Sequence, residues 1–142
     1  MKINRNLKYF FYLMFGALYL TGVLRYLLSF FSGEFGPTPL GVLSLQAHGI
    51  LSLGFLVFFG YFLAAHVLPS LRQQRHRVSG IIVNIGVIVL SLTVPFLYYG
   101  AGDSARNVTI WIHTYFGMAI VIPLVFHIVK AVRSRRFKRT IG

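Results

Sequence analysis

The chain has 142 residues, enough for one compact domain, with 56% apolar and only 11% charged residues. Soluble domains carry about 25% charged residues, and with a mean hydropathy of +0.73 the composition argues against a soluble all-helical protein, whose helices are shorter and amphipathic. The absence of cysteine excludes a disulfide framework, thiolate-ligated iron–sulfur clusters and covalent cofactor attachment through C-x-x-C-H.

Four apolar blocks follow in chain order: Phe10–Phe31, Gln46–Pro69, Gly80–Gly100 and Thr109–Val132. Each is close to the ~20 residues that cross a ~30 Å hydrocarbon core as a helix. The blocks predict an all-α membrane protein, a four-transmembrane-helix bundle forming one domain over residues 1–142. The first block follows Lys2, Arg5 and Lys8, but its run is too long for a signal-peptide core and no small-x-small cleavage site follows. It reads as a retained helix that also targets the chain. "SGEFGPTPLG" (Ser32–Gly41) reads as the first outer loop, "PSLRQQRHRVSG" (Pro69–Gly80) as the inner turn and "AGDSARN" (Ala101–Asn107) as the second outer loop. Pro95 and Pro123 fall inside helices, where a membrane bundle tolerates the kink.

Charge sets the orientation. Lys2, Arg5 and Lys8, then Arg72, Arg75 and Arg77, then Lys130, Arg133, Arg135, Arg136, Lys138 and Arg139 fall on one side if all the segments cross. The opposite loops hold Glu34, Asp103 and Arg106. Basic residues collect on the cytoplasmic side, so both termini are expected there. The net charge of +12 is thereby explained by membrane topology and anionic lipid headgroups and not by nucleic acid, for which no aromatic-interleaved basic surface is visible.

Of the five histidines, His76 lies between arginines in the inner turn and reads as a solvated loop residue. His48, His66, His113 and His127 lie in the apolar segments, where an ionisable group is costly and marks function. A straight helix turns about 100° per residue. His48 and His66, eighteen residues apart, then face the same way, and His113 and His127, fourteen apart, lie within roughly 40° of each other. The axial separations are about 27 Å and 21 Å. The second and fourth segments run in the same direction, so His48 and His113 fall near the outer face and His66 and His127 near the inner face. Two facing stripes would give opposed imidazoles at two depths, and haem iron takes axial imidazoles from opposite sides. Gly117, one turn inward of His113, would make room for a porphyrin, although glycine also serves helix packing. A proton relay or a metal-ion path is the other reading; zinc or copper transport would call for carboxylates, thiolates or thioethers beside the imidazoles.

"HTYFGMAIVIPLVFH" (His113–His127) has the form H-x3-G-x9-H. It resembles the ligand helix of the small di-haem b-type membrane cytochromes, a superfamily that includes bacterial four-helix cytochrome b proteins, cytochrome b subunits of formate dehydrogenases and hydrogenases, and flavinylation-associated cytochromes. "YLTGVLRYL" (Tyr19–Leu27) resembles the Thr-Gly signature in the first helix of several members. Many relatives carry a ligand histidine near the start of that helix; here "NLKYFFYL" (Asn6–Leu13) has none, so the second histidine of each pair would come from the second segment. The resemblance implies two non-covalent haem b groups ligated by His48, His113, His66 and His127, in a bacterial cytoplasmic (inner) membrane. Arg25, inside the outer part of the first segment, is the candidate partner for a haem propionate, with snorkelling to the headgroups as the plain alternative. Trp111, Tyr98 and Tyr99 read as an aromatic belt.

No nucleophile–base pair, phosphate loop or carboxylate dyad is visible, so the chain is expected to act as an electron-transfer subunit of an oxidoreductase and not as a catalyst alone. The expected partners are the lipid bilayer, a quinone pool and a redox protein within a larger respiratory complex. The alternative is a haem-free transporter, channel or assembly subunit whose histidines relay protons or bind metal. A middle reading is a self-contained oxidoreductase acting on quinone and a small molecule such as superoxide.

Overall fold

The computed structural model describes residues 5–32, 38–69, 77–100 and 102–141, with the side chains of 32, 77 and 135–141 left undescribed. Lys2, Glu34, Arg72, Arg75 and His76 lie outside the described residues. The described chain is helical: α1 (Arg5–Ser32), α2 (Pro39–Phe62) continued by a π turn (Leu63–Val67), α3 (Arg77–Tyr99), α4 (Asp103–Ala119) and α5 (Val121–Ile141). Four stretches are long and apolar enough to cross a membrane: Arg5–Phe31, Pro39–Val67, Val78–Tyr99 and Asp103–Ser134.

Three of these reach further than hydropathy predicts, and local chemistry explains two of them. The second helix begins at Pro39 and not near residue 46, because Thr38 caps it: its Oγ1 accepts from the Gly41 N–H at 3.1 Å, and Pro39 occupies the first turn. The fourth begins at Asp103 and not near 109. Gly102 precedes it at φ 89°, a left-handed conformation suited to glycine, and Asp103 places its carboxylate on the positive end of the helix. Asp103–Asn107, expected in a loop, is helical. The first helix begins at Arg5, earlier than the expected residue 10.

Contacts divide the chain into two compact units, Met1–Arg72 and Gln73–Gly142. In the first, α1 and α2 pack antiparallel. Near the loop end, Arg25 lies against Gly41; further along, Thr21 meets His48 and Met14 meets Gly54. The other half is an aromatic interface: Phe10 on Phe58 at 4.7 Å between centroids, Phe11 on Phe55 at 5.2 Å and on Phe62 at 4.6 Å, and Phe15 on Phe55 at 6.0 Å. Lipid is as apolar as these rings, so close van der Waals packing, not expulsion from water, favours the pairing. Outward side chains such as Leu20, Leu53 and Val57 are exposed, as a lipid-facing surface requires.

In the second unit α3 packs antiparallel against α4 and α5. Thr93 meets His113, Gly86 meets Ile120 and Ser79 meets His127. α4 and α5 are one span interrupted at Ile120. Pro123 has no N–H to offer the carbonyl four residues back, that of Ala119, so one helical hydrogen bond is broken there, while Ile120 keeps right-handed helical backbone and the Ile120 and Leu124 N–H groups still reach the Phe116 and Ile120 carbonyls. The break falls between His113 and His127, as the π turn falls around His66. Its wider i→i+5 winding turns each residue by less than an α-helix does. The straight-helix projection therefore shifts for His66, inside the π turn, whereas Ile120 keeps right-handed helical backbone and His113 and His127 both meet α3, on one side of their span.

Candidate functional site

All four intramembrane histidines are half-buried, and for three of them the ring nitrogen nearest the backbone is engaged by the neighbouring helix of the same unit. His48 Nδ1 lies 3.1 Å from the Leu18 carbonyl and 3.2 Å from Thr21 Oγ1, both on α1. A carbonyl only accepts, so Nδ1 carries the proton. Thr21 agrees with this assignment. Its single hydroxyl proton is directed back to the carbonyls of Leu18 and Ala17 at 2.9 and 3.0 Å, which leaves its oxygen to accept.

His113 is seated in a similar way. Thr93 Oγ1 lies 2.6 Å from the Leu90 carbonyl and 2.6 Å from His113 Nδ1. With the threonine proton on Leu90, its oxygen is left to accept from Nδ1–H, and the ligand-competent lone pair falls on Nε2. Iron- and zinc-binding imidazoles are commonly oriented by such a bond from the non-ligating nitrogen to an acceptor. His127 Nδ1 lies 3.0 Å from Ser79 Oγ, with Ser79 buried. A serine hydroxyl can donate or accept, so this bond fixes the ring's orientation but not its tautomer. His66 sits in the π turn with its ring 4.8 Å from that of Phe62, which itself stacks on Phe11.

Two glycines complete these seats. A Cβ at Gly22 would stand 3.0 Å from His48 Cε1, and one at Gly80 would stand 3.3 Å from His127 Cε1. In Thr21-Gly22 and in Ser79-Gly80 the hydroxyl thus takes Nδ1 while the glycine clears the ring edge. Sequence reasoning singled out Thr21-Gly22 by resemblance alone, and it missed Ser79, Gly80 and Thr93. The available signal was register: in an antiparallel pair, partner numbers sum to a near-constant, and each of these hydroxyls sits opposite a histidine on that count.

Gly117 lies on α4, where a Cβ would meet Leu90 Cδ2 at 3.8 Å, an ordinary contact. Packing against α3 does not demand glycine at this position. Arg25 places Nη1 3.0 Å from where a Gly41 Cβ would be, beside the first turn of α2, a turn that holds no Asp or Glu. A guanidinium at the positive end of a helix suits a site that receives an anion. Within each unit, and among the described residues, no three His, Cys, Asp or Glu side chains form a set able to hold a metal ion. Comparison with protein-family models, with characterised proteins and with solved structures finds no match to this chain.

Proposed function

We propose that this chain is a di-haem b-type membrane cytochrome that carries electrons across a bacterial cytoplasmic membrane, between a quinone pool and a partner redox protein, as the membrane subunit of a larger complex. Bound haem would supply one-electron exchange at iron. The observation that carries the reading is the shared seat of His48 and His113: in two separate units, Nδ1 of each imidazole lies against oxygen of the adjacent helix, an arrangement that suits an Nε2 ligand.

The chain's own residues divide the work. His48, His66, His113 and His127 are the axial ligands, enough for two bis-imidazole irons. Thr21, Thr93 and Ser79 hold three of the rings, and Gly22 and Gly80 make room for two. Arg25, at the N-terminal turn of α2, would receive a propionate, and Gly117 would leave space for a porphyrin edge. Both termini are assigned to the cytoplasmic side by the positive-inside rule.

Reduced-minus-oxidised spectroscopy of the purified chain tests this reading. Low-spin bis-histidine haem absorption with about two haems per chain is expected. A colourless preparation that retains a bound metal ion would replace it with the haem-free reading.

A further inference from the structure

The four candidate ligands are not seated alike, and the difference lies in what stands behind them. At His48 and His113 the hydroxyl beside Nδ1 also reaches backbone carbonyls one turn back on its own helix, those of Leu18 and Ala17 in one unit and of Leu90 in the other. Each forms a three-member chain of backbone carbonyl, threonine hydroxyl and imidazole. Donation by a hydroxyl makes its oxygen a stronger acceptor, and the chain polarises along its length. A more strongly accepted Nδ1 proton leaves more electron density on the imidazole and makes Nε2 a better donor. On iron, that favours the more highly charged ferric state.

We propose that Thr21 and Thr93 are positioning residues that accept the Nδ1 protons of His48 and His113 and hold down the reduction potentials of the haems these histidines ligate. The proposal rests on the cytochrome reading and adds to it a residue-level control of potential. The two threonines are unequal. The Thr93 bond is the shorter, at 2.6 Å against 3.2 Å, and His48 retains the Leu18 carbonyl as a second acceptor. Thr93 therefore exerts the larger effect.

The test compares Thr93→Val, Thr21→Val and Thr93→Ser with the wild-type chain, with haem loaded, by redox titration of the visible spectrum. Valine keeps the shape and removes the hydroxyl; serine keeps the hydroxyl. Thr93→Val is expected to shift the redox equilibrium of one haem about tenfold toward the reduced form, about 59 mV upward for one electron. Thr21→Val is expected to shift its haem less, and Thr93→Ser to restore wild-type behaviour. Unchanged potentials in both valine variants, with haem content intact, would overturn the proposal and leave the cytochrome reading standing. Absence of haem from the wild-type chain would overturn the cytochrome reading itself. Should a valine variant fail to fold, 15N NMR of histidine-labelled wild-type protein still decides: Nδ1–H at His48 and His113 is expected, and Nε2–H at either would refute the proposal.

Discussion

Replacing Gly22 with alanine separates the fit of an imidazole from the stability of the helix pair. The new Cβ would stand 3.0 Å from His48 Cε1 and 3.4 Å from Nδ1. Carbon–carbon contacts are comfortable at about 3.5–4.0 Å, so the ring must retreat from α1 by roughly half an ångström. The atoms that hold the ring are on α1 too. Retreat lengthens bonds now at 3.1 Å to the Leu18 carbonyl and 3.2 Å to Thr21 Oγ1, and carries both past the useful range of about 3.2 Å for N–H···O. Overpacking of this kind costs about 1–3 kcal/mol, offset by about 0.5–1 kcal/mol for removing a helical glycine. The net is a destabilisation of at most about 2.5 kcal/mol, while the tethered imidazole is freed from its seat. Gly54→Ala is the matched control. Its Cβ would also stand 3.0 Å from its nearest neighbour, but that neighbour is the terminal methyl of Met14, which can swing aside. Thermal unfolding in detergent, followed in parallel by circular dichroism and haem absorbance, distinguishes the two. Gly22→Ala should lose haem well before it loses helix, and Gly54→Ala should match wild type on both. Equal behaviour of the two variants would refute the reasoning.

Alanine at His48, His66, His113 or His127 should each lower haem content from about two toward one per chain, whereas His76→Ala should leave it unchanged; pyridine haemochrome assay reads the difference. Gly117→Ala should keep its helix pair, since the added methyl meets Leu90 at an ordinary 3.8 Å, and should lower haem content by filling the porphyrin seat; wild-type haem content would remove Gly117 from that seat. Gly86→Ala should act oppositely, because its Cβ would collide with the buried Ile120; a loss of stability of about 1–3 kcal/mol by thermal unfolding is expected. A fluorescent-protein fusion at the C-terminus should be bright and an alkaline phosphatase fusion inactive if the termini are cytoplasmic.

The spans were legible because burial in lipid demands long apolar runs, and nothing else in 142 residues produces four of them. Their ends were not, since hydropathy averages over the polar first turn: Thr38-Pro39 and Gly102-Asp103 look like loop chemistry yet start helices. The histidines stood out by cost, but the angular placement of His66 assumed unbroken α-helical winding. Pro123 was recognised as a kink, and the π turn around His66 was not, because "LAAHV" carries no residue that announces wider winding. The hydroxyl partners were hidden for a different reason. Ser79 and Thr93 gain meaning only from the register of two helices, which no single stretch of sequence displays.

That pattern of hydroxyls follows from the solvent. A metal-binding imidazole is often steadied by a carboxylate, but an ionised carboxylate inside a bilayer would itself need a partner, and the acidic residues of this chain are Glu34 and Asp103 alone, with Asp103 in the first turn of α4. A threonine in a membrane helix resolves the difficulty with no net charge. Its proton returns to a carbonyl one turn back, as the helix already favours, and its oxygen is left to accept from the ring. The same solution appears at Thr21 and Thr93, in two units whose sequences otherwise show no convincing repeat. An acceptor that is neutral, short and tied to its own backbone can orient an imidazole in lipid without adding a charge for the membrane to exclude. This is why the residues beside the histidines, as much as the histidines, are where the cytochrome reading is most open to test.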